Sequence, residues 1–412
     1  MANNTVNHLR RLTGFLGLRR SIVGVLTMVI LVDMGERMAE RFLPIYLIAL
    51  GGGAISVGLL NGLDNLLSAL YAFPGGYLSD KLGVKRALLI FNLMAIAGFL
   101  IVVLIPLWPA VILGAILFLA WTSISQPATM SLIAKVLPAQ KRTMGVSMHS
   151  LVRRIPMALG PLVGGAFIAL WGERNGVRYA FVAAAAMGFV SIAIQQWLLQ
   201  DDRAVPGASQ SSRVLEKNPI ALIRAMSPDL RSLLASDILI RFCEQIPYAF
   251  VVIWAMKTIP TPVSAVQFGL LTTIEMATAI AVYIPVAYLA DRGTKKPFVM
   301  LTFVFFTAFP LALLFCRSLH LLVLAFILRG LKEFGEPARK ALIVDLAPEG
   351  QKAAMFGAYY LVRDVIVSLA AFGGAFLWMI SPAANFLTAF AFGVIGTIWF
   401  AARGRSPVLV QP

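Results

Sequence analysis

The sequence predicts an all-α polytopic membrane protein with twelve transmembrane helices, arranged as two pseudo-symmetric six-helix bundles. Of its 412 residues, 59% are hydrophobic and 13% are charged, and the mean hydropathy is +0.84. Soluble domains are about 45–50% apolar and about 25% charged, so composition excludes that class. The apolar residues form runs that reach the roughly 20 residues a helix needs to cross a bilayer. The predicted spans are 21–50, 55–79, 86–107, 109–135, 143–171, 178–199, 230–257, 263–290, 297–316, 319–346, 353–379 and 383–402.

A polar stretch from Gln200 to Arg231 divides these spans into two sets of six. It contains Asp201, Asp202, a Pro-Gly-Ser run and several bases, which is typical of a linker. The predicted domains are therefore an N-terminal bundle at residues 1–199, a cytoplasmic linker at 200–229, and a C-terminal bundle with a short cytoplasmic tail at 230–412.

The Lys and Arg residues of the loops predict the orientation. Loops on the N-terminal side of the membrane carry twenty-one of these bases, and the opposite loops carry four. Cytoplasmic loops hold the excess in membrane proteins, so both termini are expected in the cytoplasm and the protein in the cell (inner or plasma) membrane. The loop bases also account for the net charge of +16, and no nucleic-acid partner is predicted.

Cysteine and histidine are scarce. Cys243 and Cys316 lie in apolar segments, and the chain has only three histidines. This usage predicts neither a disulfide framework nor a metal site, and no cofactor is expected. The first twenty residues carry four arginines without a small-residue cleavage site, so the first span is predicted to be uncleaved.

Charged residues interrupt the first predicted span. Asp33, Arg37 and Glu40 follow a spacing of i, i+4 and i+7, so they share one helical face, and Glu36 lies beside them. A charge at mid-bilayer costs about 2.5–3.5 kcal/mol on insertion scales. Such charges persist where they pair or face a water-filled cavity, and they usually mark a transport pathway.

The second half repeats this pattern. Asp237, Arg241 and Glu244 have the same spacing, 204 positions later. Because each half contains six spans, an even number, both copies enter the membrane from the same side and form a parallel repeat.

Other charged positions recur at a similar distance. Asp64 and Glu275 lie 211 positions apart, and Arg153 and Arg363 lie 210 apart. Span 10 adds further charges inside an apolar run. The predicted substrate and proton pathway comprises Asp33, Glu36, Arg37, Glu40, Asp64, Arg153, Asp237, Arg241, Glu244, Glu275, Arg329, Glu333, Glu336 and Arg363.

The loop Gly75-Gly-Tyr-Leu-Ser-Asp-Lys-Leu-Gly-Val-Lys-Arg86 resembles the signature loop of the major facilitator superfamily, and a degenerate copy spans residues 287–296. The resemblance extends over the whole chain, since the span number, the linker position and the repeat all agree. By this resemblance the loops form a cytoplasmic gate latch, although an ordinary positive-inside loop would look similar. The predicted gate residues are Gly76, Asp80, Gly83, Lys85, Arg86, Asp291 and Arg292.

A glycine motif in span 5 resembles the G-P-x-x-G-G core of proton-coupled drug antiporters. It consists of Gly160, Pro161, Gly164 and Gly165. The antiporter motif has another glycine four positions earlier, where this chain has Pro156, and span 4 lacks the arginine of the antiporter pattern. Close helix packing by small residues is the alternative interpretation.

The resemblance implies a secondary active transporter that works by alternating access, with spans 1, 4, 7 and 10 lining its cavity. The charges favour a small charged or zwitterionic solute and proton-coupled efflux. A lipid or lysolipid flippase and a proton-coupled uptake symporter remain alternatives. A membrane-embedded enzyme is disfavoured, because neither H-E-x-x-H nor G-x-S-x-G occurs. The expected partners are the substrate, the lipid bilayer and protons, and a monomer is expected.

Proton coupling would use the buried acids. Movement that separates a carboxylate from an arginine changes the proton affinity of the carboxylate, whereas arginine itself does not deprotonate. In the alternative, Asp33–Arg37 and Asp237–Arg241 are permanent structural pairs. The candidate carriers are Asp33, Glu36, Glu40 and Glu275, with Arg37, Arg153 and Arg241 as their partners.

Overall fold

The structure, a computed structural model, describes residues 20–119, 121, 125, 129, 139–199, 224–290, 294–347 and 352–405. Within these ranges the regular structure is helical, without strands, which confirms the all-α polytopic class. The helices before the linker are α1 (Arg20–Glu40), α2 (Leu43–Ala49), α3 (Ala54–Leu82), α4 (Val84–Leu104), α5 (Trp108–Phe118) and α6 (Ala139–Leu198). Those after it are α7 (Pro228–Tyr248), α8 (Val251–Ile253), α9 (Ala265–Ala290), α10 (Lys296–Phe315), α11 (Leu319–Leu331), α12 (Glu336–Leu346), α13 (Lys352–Ile380) and α14 (Pro382–Arg403).

Six helical segments in the described residues are long and apolar enough to cross a membrane, and a seventh span arises if α7 and the helical turns that follow it count as one. That last pair is bent by 41°. The remaining described helices are shorter or more polar. For example, α1 carries the charged face, and α11 has only 13 residues.

Four predicted spans differ in detail from the observed helices. The predicted span 21–50 is divided into α1 and α2, and the predicted span 319–346 is divided into α11 and α12. Conversely, spans 5 and 6 follow each other in α6 with a kink at Gly172, whose φ is 76°. Glycine adopts this left-handed conformation without the steric penalty that a Cβ imposes, so one residue replaces the predicted loop.

The packing of the Cα atoms divides the chain into two units. One contains Met1–Leu43 and Leu70–Ala208, and the other contains Pro44–Ala69 and Ser209–Pro412. The second unit therefore includes the first half of α3. The predicted domain boundaries at 199 and 230 stay a prediction.

Within the second unit, α3 packs closely against α7 and α13. A Cβ added at Gly58 would lie 2.5 Å from the Cβ of Ala375. The side-chain amide of Asn61 donates to the backbone oxygen of Gln245 at 3.0 Å, and Asn65 donates to the side-chain oxygen of Gln245 at 3.2 Å. A small residue at the crossing thus brings polar groups within hydrogen-bonding distance.

In the first unit, α1 packs along α6 at the glycine motif. A Cβ at Gly160 would lie 2.6 Å from the Cβ of Arg37, and a Cβ at Gly164 would overlap the carbonyl oxygen of Met38. Two glycines of the motif therefore allow α6 to approach the backbone of α1 at the charged face.

A similar crossing joins α7, α13 and α14. A Cβ at Gly374 would overlap the carbonyl oxygen of Ile246. The side-chain amide of buried Asn385 donates to the same oxygen at 3.2 Å and to the oxygen of Gly374 at 2.8 Å. These contacts fix α7 against α13, and α7 carries the Asp237–Glu244 face.

Alanine substitutions at two neighbouring glycines, Gly373 and Gly374, test the close packing at this crossing. Gly374→Ala is expected to destabilise the protein by about 1–3 kcal/mol, since overpacking forces the backbones apart. Gly373→Ala should be neutral or stabilising by up to about 1 kcal/mol, because a Cβ there meets no atom within 4 Å and alanine favours a helix. Thermal unfolding in detergent would measure both changes. Equal melting temperatures for the two variants would contradict close packing at Gly374.

Candidate functional site

Asp237 lies at the centre of a buried charged cluster in the second unit. It is 1% exposed. Its Oδ2 accepts hydrogen bonds from Arg339, from the hydroxyl of Tyr359 at 3.1 Å, and from Nη1 of Arg363 at 3.4 Å. These donors come from α12 and α13, so one carboxylate of α7 joins three helices.

Glu336 forms the second centre of the cluster. Arg339 donates to both of its oxygens, at 2.7 and 3.0 Å, a bidentate arrangement that combines charge with fixed geometry. Arg241 reaches Glu336 at 3.6 Å, and Lys340 reaches it at 3.4 Å. Arg241 also lies 4.0 Å from Asp237, so the predicted Asp237–Arg241 contact is longer than the contacts to α12 and α13.

Beyond Glu336, bases and acids alternate along a row of five side chains: Arg241, Glu244, Lys332, Glu275 and Arg329. Arg241 donates to Glu244 at 2.6 Å, and Lys332 donates to the other oxygen of Glu244 at 2.6 Å. Lys332 also lies 3.7 Å from Glu275, which is 3.3 Å from Arg329. Lys332 is thus shared by two buried carboxylates, and each of these carboxylates has an arginine of its own.

Aromatic rings surround the bases of this row. The guanidinium carbon of Arg329 lies 5.4 Å from the ring centroid of Tyr248, 5.2 Å from that of Phe309 and 5.6 Å from that of Phe326. Phe306 lies 5.2 Å from Arg241 and 5.6 Å from Lys332. Cation–π attraction at these distances is worth about 0.5–2 kcal/mol, so the rings help to hold buried positive charge.

The break between α11 and α12 places these charges. Residues 332–335 form turns, and the backbone N–H of Gly335 donates to the hydroxyl of Thr302 on α10 at 2.5 Å. Arg329 and Lys332 precede the α12 start and contact Glu275 and Glu244, whereas Arg339 follows it and contacts Asp237. The break therefore allows one predicted span to reach two acidic groups.

A small cavity opens at the Lys332 end of the row. Its lining combines two bases and one acid with aromatic and aliphatic side chains. We call it the Lys332 cavity. It is lined by Glu244, Tyr248, Val251, Phe306, Phe309, Arg329 and Lys332.

The first unit contains a second charged group, on α1 and α6. Asp33 is fully buried, and its Oδ2 lies 3.3 Å from Nε of Arg153. Arg37 pairs with Glu40, three residues later, and Glu36 is buried beside them. The predicted face thus contacts α6 through Asp33.

The two repeats make equivalent contacts. Arg153 and Arg363 are repeat-related, as are Asp33 and Asp237. The structure pairs Arg153 with Asp33 at 3.3 Å and Arg363 with Asp237 at 3.4 Å. Each half therefore joins its first predicted span to its fifth by an Asp–Arg contact, and Asp237 of the second half is also bound by Arg339.

Other predicted residues lie elsewhere. Asp64 is on α3, and Glu333 is in the turn between α11 and α12. In the predicted gate, Gly83 precedes α4 with a φ of 84°, and Gly76 and Asp80 lie in α3, although their side-chain surroundings fall outside the description. Asp291 and Arg292 also lie outside the described residues.

Lys85 has a partner within its own unit. Its ammonium donates to the backbone oxygen of Gln196 near the end of α6, at 3.0 Å. The repeat-related Lys296 donates to the backbone oxygen of Ala401 near the end of α14, also at 3.0 Å. A base at a helix C-terminus compensates the exposed carbonyls. Arg86 is exposed, and the latch contact stays a prediction.

The predicted pathway omitted four residues of the cluster: Lys332, Arg339, Lys340 and Tyr359. Arg339 follows Glu336 by three positions, which is the spacing of neighbours on one helix face, and this signal could have identified it. Tyr359 has no charge and looks like an ordinary core residue in the sequence. Among the described residues, no group of three His, Cys, Asp or Glu could hold a metal ion.

Comparisons with known proteins agree on one family. The profile of the Major Facilitator Superfamily matches residues 25–261 and 233–411. An uncharacterised MFS-type transporter of Methanocaldococcus jannaschii is 23% identical over 375 residues, which cover 86% of this chain and 87% of that protein. An uncharacterised MFS-type transporter of Bacillus subtilis is 28% identical over 188 residues, or 44% of each chain.

Solved structures share the fold. A mutant of the nucleoside transporter NupG has a TM-score of 0.78 at 15% identity, covering 93% of this chain and 100% of that one. The peptide transporter POT in complex with sulfate has a TM-score of 0.73 at 14% identity, covering 93% of each chain. A bacterial homologue of the human lysosomal transporter Spinster has a TM-score of 0.68 at 14% identity, with 94% and 98% covered.

Proposed function

The chain belongs to the Major Facilitator Superfamily, and from this premise we propose that it exports a small charged or zwitterionic solute by alternating access in exchange for protons. Membership makes the protein a multi-pass membrane transporter rather than an enzyme. The solute, the direction and the coupling ion are our proposal. A location in the cell membrane, cytoplasmic termini and a monomeric state are also part of this proposal.

Proton coupling rests on the environment of Glu275. This carboxylate is 1% exposed and lies between Arg329 at 3.3 Å and Lys332 at 3.7 Å. Lys332 lies closer to Glu244, at 2.6 Å. If helix movement carries Lys332, together with Glu244, away from Glu275, then Glu275 loses part of its positive surroundings and binds a proton more readily. Alternation of a carboxylate between its protonated and ionised states requires a buried acid beside a base that can move away.

The first unit supplies the other candidate carriers. Asp33 contacts Arg153 across a helix crossing, whereas Glu40 and Arg37 lie on the same helix. Helix movement could separate the first pair but not easily the second. We therefore rank Glu275 and Asp33 above Glu40 as carriers.

A transport assay in proteoliposomes tests the proposal. Vesicles with an imposed pH gradient would receive labelled uridine, dialanine or 3-phenylpropionate. We expect dialanine or 3-phenylpropionate, rather than the uncharged uridine, to accumulate on the acidic side, as antiport with protons requires, and a protonophore to abolish the accumulation. A sodium gradient at equal pH serves as the control. Accumulation driven by sodium alone would contradict proton coupling, and accumulation on the alkaline side would indicate a symporter.

A lipid substrate is the second candidate, favoured by a groove in the second unit. The groove lies among α10, α11 and α14, and its lining includes the apolar side chains of Val304, Leu311, Phe315 and Ile398. An acyl chain would fit such a lining, while a headgroup would need the charged cluster. Protein-dependent flipping of a fluorescent lysolipid in the same vesicles, without transport of the three soluble solutes, would favour this candidate.

A further inference from the structure

A long apolar groove lies on the second unit between α10 and α14, and Leu328 of α11 completes its lining. Its volume is about 450 Å³, and its lining contains no charged residue. We call it the α10–α14 groove. Its lining includes Val304, Ala308, Leu311 and Phe315 on α10, and Val394 and Ile398 on α14.

The groove follows the helix axis. Its lining on α10 runs from Val304 to Phe315 at helical spacing, which at 1.5 Å per residue is roughly 16 Å. The hydrocarbon core of a bilayer is about 30 Å thick. The groove is therefore about as long as one leaflet is deep.

The exposed side chains of the groove face outward from the unit. In its lining, Phe315 is 69% exposed and Ile398 is 61% exposed. Both α10 and α14 are long and apolar enough to cross a membrane, and the chain belongs to a family of membrane transporters. Lipid chains rather than water are therefore the surroundings of this groove.

The hydroxyl groups of the lining do not call for a polar ligand. Thr307 donates to the backbone oxygen of Phe303 at 2.8 Å, and its hydroxyl lies 3.1 Å from that of Thr397. The rest of the lining is apolar, and without an occupant it would lose its dispersion contacts. An acyl chain is the occupant that matches both the composition and the length of the groove.

Exposed bases lie beyond the Phe315 end of the groove. Arg317 follows Phe315 by two residues, and Lys257 lies in the segment before α9; both are exposed. The hydroxyl of Thr261 donates to the backbone oxygen of Arg317 at 2.5 Å, so these two segments lie together. The segments that join helices at this end contain neither Asp nor Glu; they are 254–264, 316–318 and 381. Bases near a bilayer surface attract anionic lipids, so a negatively charged headgroup complements this end.

We infer that the α10–α14 groove holds an acyl chain of one anionic phospholipid, whose phosphate lies at Arg317 and which stays bound to the protein. This inference goes beyond the proposed function, because it needs the membrane location but not the proposed solute, direction or coupling ion. It also differs from lipid transport. The groove shares no lining residue with the charged cluster, and the headgroup stays at the end of α10.

Native mass spectrometry of the full chain in detergent tests the inference, because one measurement gives both the bound lipid and the oligomeric state. The probes are palmitoyl-oleoyl phosphatidylglycerol, phosphatidylcholine with the same chains, and diheptanoyl phosphatidylglycerol. We expect one molecule of the first lipid per chain, bound about fivefold more tightly than phosphatidylcholine, which is the contribution of one base near an anionic lipid. The short-chain lipid should bind about tenfold more weakly or less, because it leaves much of the groove unfilled. Equal binding of all three lipids would overturn the inference.

Variants locate the lipid. Ala308→Trp places an indole in the groove and should weaken phosphatidylglycerol binding about tenfold or more, the cost of roughly two lost methylene contacts. Ala391→Trp is the matched control, since Ala391 is exposed on α14 outside the lining, and it should bind like the unmodified chain. Arg317→Gln should weaken phosphatidylglycerol about fivefold and phosphatidylcholine less. Arg405→Gln removes an exposed base just beyond the other end of α14, and it should change neither affinity.

Two results would contradict the assignment. Unchanged phosphatidylglycerol binding in a folded Ala308→Trp protein, with the circular dichroism of the unmodified chain, would exclude the groove. A lipid-free dimer that dissociates in Ala308→Trp would show that a second copy of the chain covers the groove instead. If Ala308→Trp does not fold, Arg317→Gln carries the test, and an unchanged preference for phosphatidylglycerol in that variant would overturn the headgroup contact. Proton-driven transport of a solute is measured separately, so its failure leaves the lipid site standing.

Discussion

Replacing Glu275 with glutamine is expected to reduce transport driven by a pH gradient on the order of 100-fold, within the range for loss of a proton-transferring side chain. Glutamine keeps the shape of the side chain but does not exchange a proton. Glu275 is buried between Arg329 and Lys332, so water has little access to substitute for it. The initial rate of solute movement in proteoliposomes, with and without the gradient, measures the loss.

Three controls make this result specific. Asp364→Asn removes a carboxylate that is 24% exposed beside Arg363, and it should keep nearly normal rates. Glu275→Asp retains a titratable group and should recover part of the activity. Solute exchange at equal pH on both sides should survive in Glu275→Gln, because it needs no net proton movement. Full gradient-driven transport by Glu275→Gln would exclude Glu275 as the carrier.

Arg339→Met is expected to cause the largest loss of stability, about 3–5 kcal/mol, as when one partner of a buried ion pair is removed. Arg339 is 1% exposed and binds both Asp237 and Glu336. Methionine fills much of the same space without the guanidinium. Among the described residues, the ionic contacts that Asp237 and Glu336 would keep are longer, at 3.4 to 4.0 Å.

Lys340→Met is the matched control, because Lys340 is the next residue on α12 and contacts the same glutamate. Its exposed ion pair with Glu336, at 3.4 Å, should contribute less than about 1 kcal/mol. The melting temperature in detergent should therefore fall by several degrees for Arg339→Met and hardly at all for Lys340→Met. A double variant that also carries Glu336→Gln should recover part of the loss. Similar melting temperatures for the two single variants would refute the importance of the buried pair.

The membrane class, the family and the buried position of most charges could be predicted from the sequence. These features depend on the length of apolar runs and on the spacing of repeats, and both can be measured directly along the chain. Which basic side chain contacts which carboxylate could not be predicted in the same way. The i, i+4 spacing predicted a contact between Asp33 and Arg37, which stays a prediction, whereas the structure places Arg153 of another helix at Asp33 and Arg37 at Glu40. Which arginine reaches an acid depends on helix rotation and crossing distance, which spacing within one helix does not fix.

The break in predicted span 10 is a second feature that could not be predicted from the sequence. An apolar run over 319–346 predicts one continuous helix with a single charged face. The turn at residues 332–335 instead separates Lys332 from Arg339, so these side chains reach Glu244 and Asp237 respectively. Gly335 lies in this turn, where a Cβ would overlap the backbone oxygen of Phe298, and its role depends on tertiary packing that the sequence does not display.

The division of the chain into units has a mechanical consequence. Because Pro44–Ala69 belongs with the C-terminal helices, the polypeptide crosses between the units three times rather than once. The crossings fall after Leu43, after Ala69 and after Ala208. The first lies at the start of α2, and the second lies inside α3. Both crossings therefore run through helical backbone, at the second residue of α2 and in the middle of α3, and this constrains the chain at each point. A longer linker would not relax these two constraints.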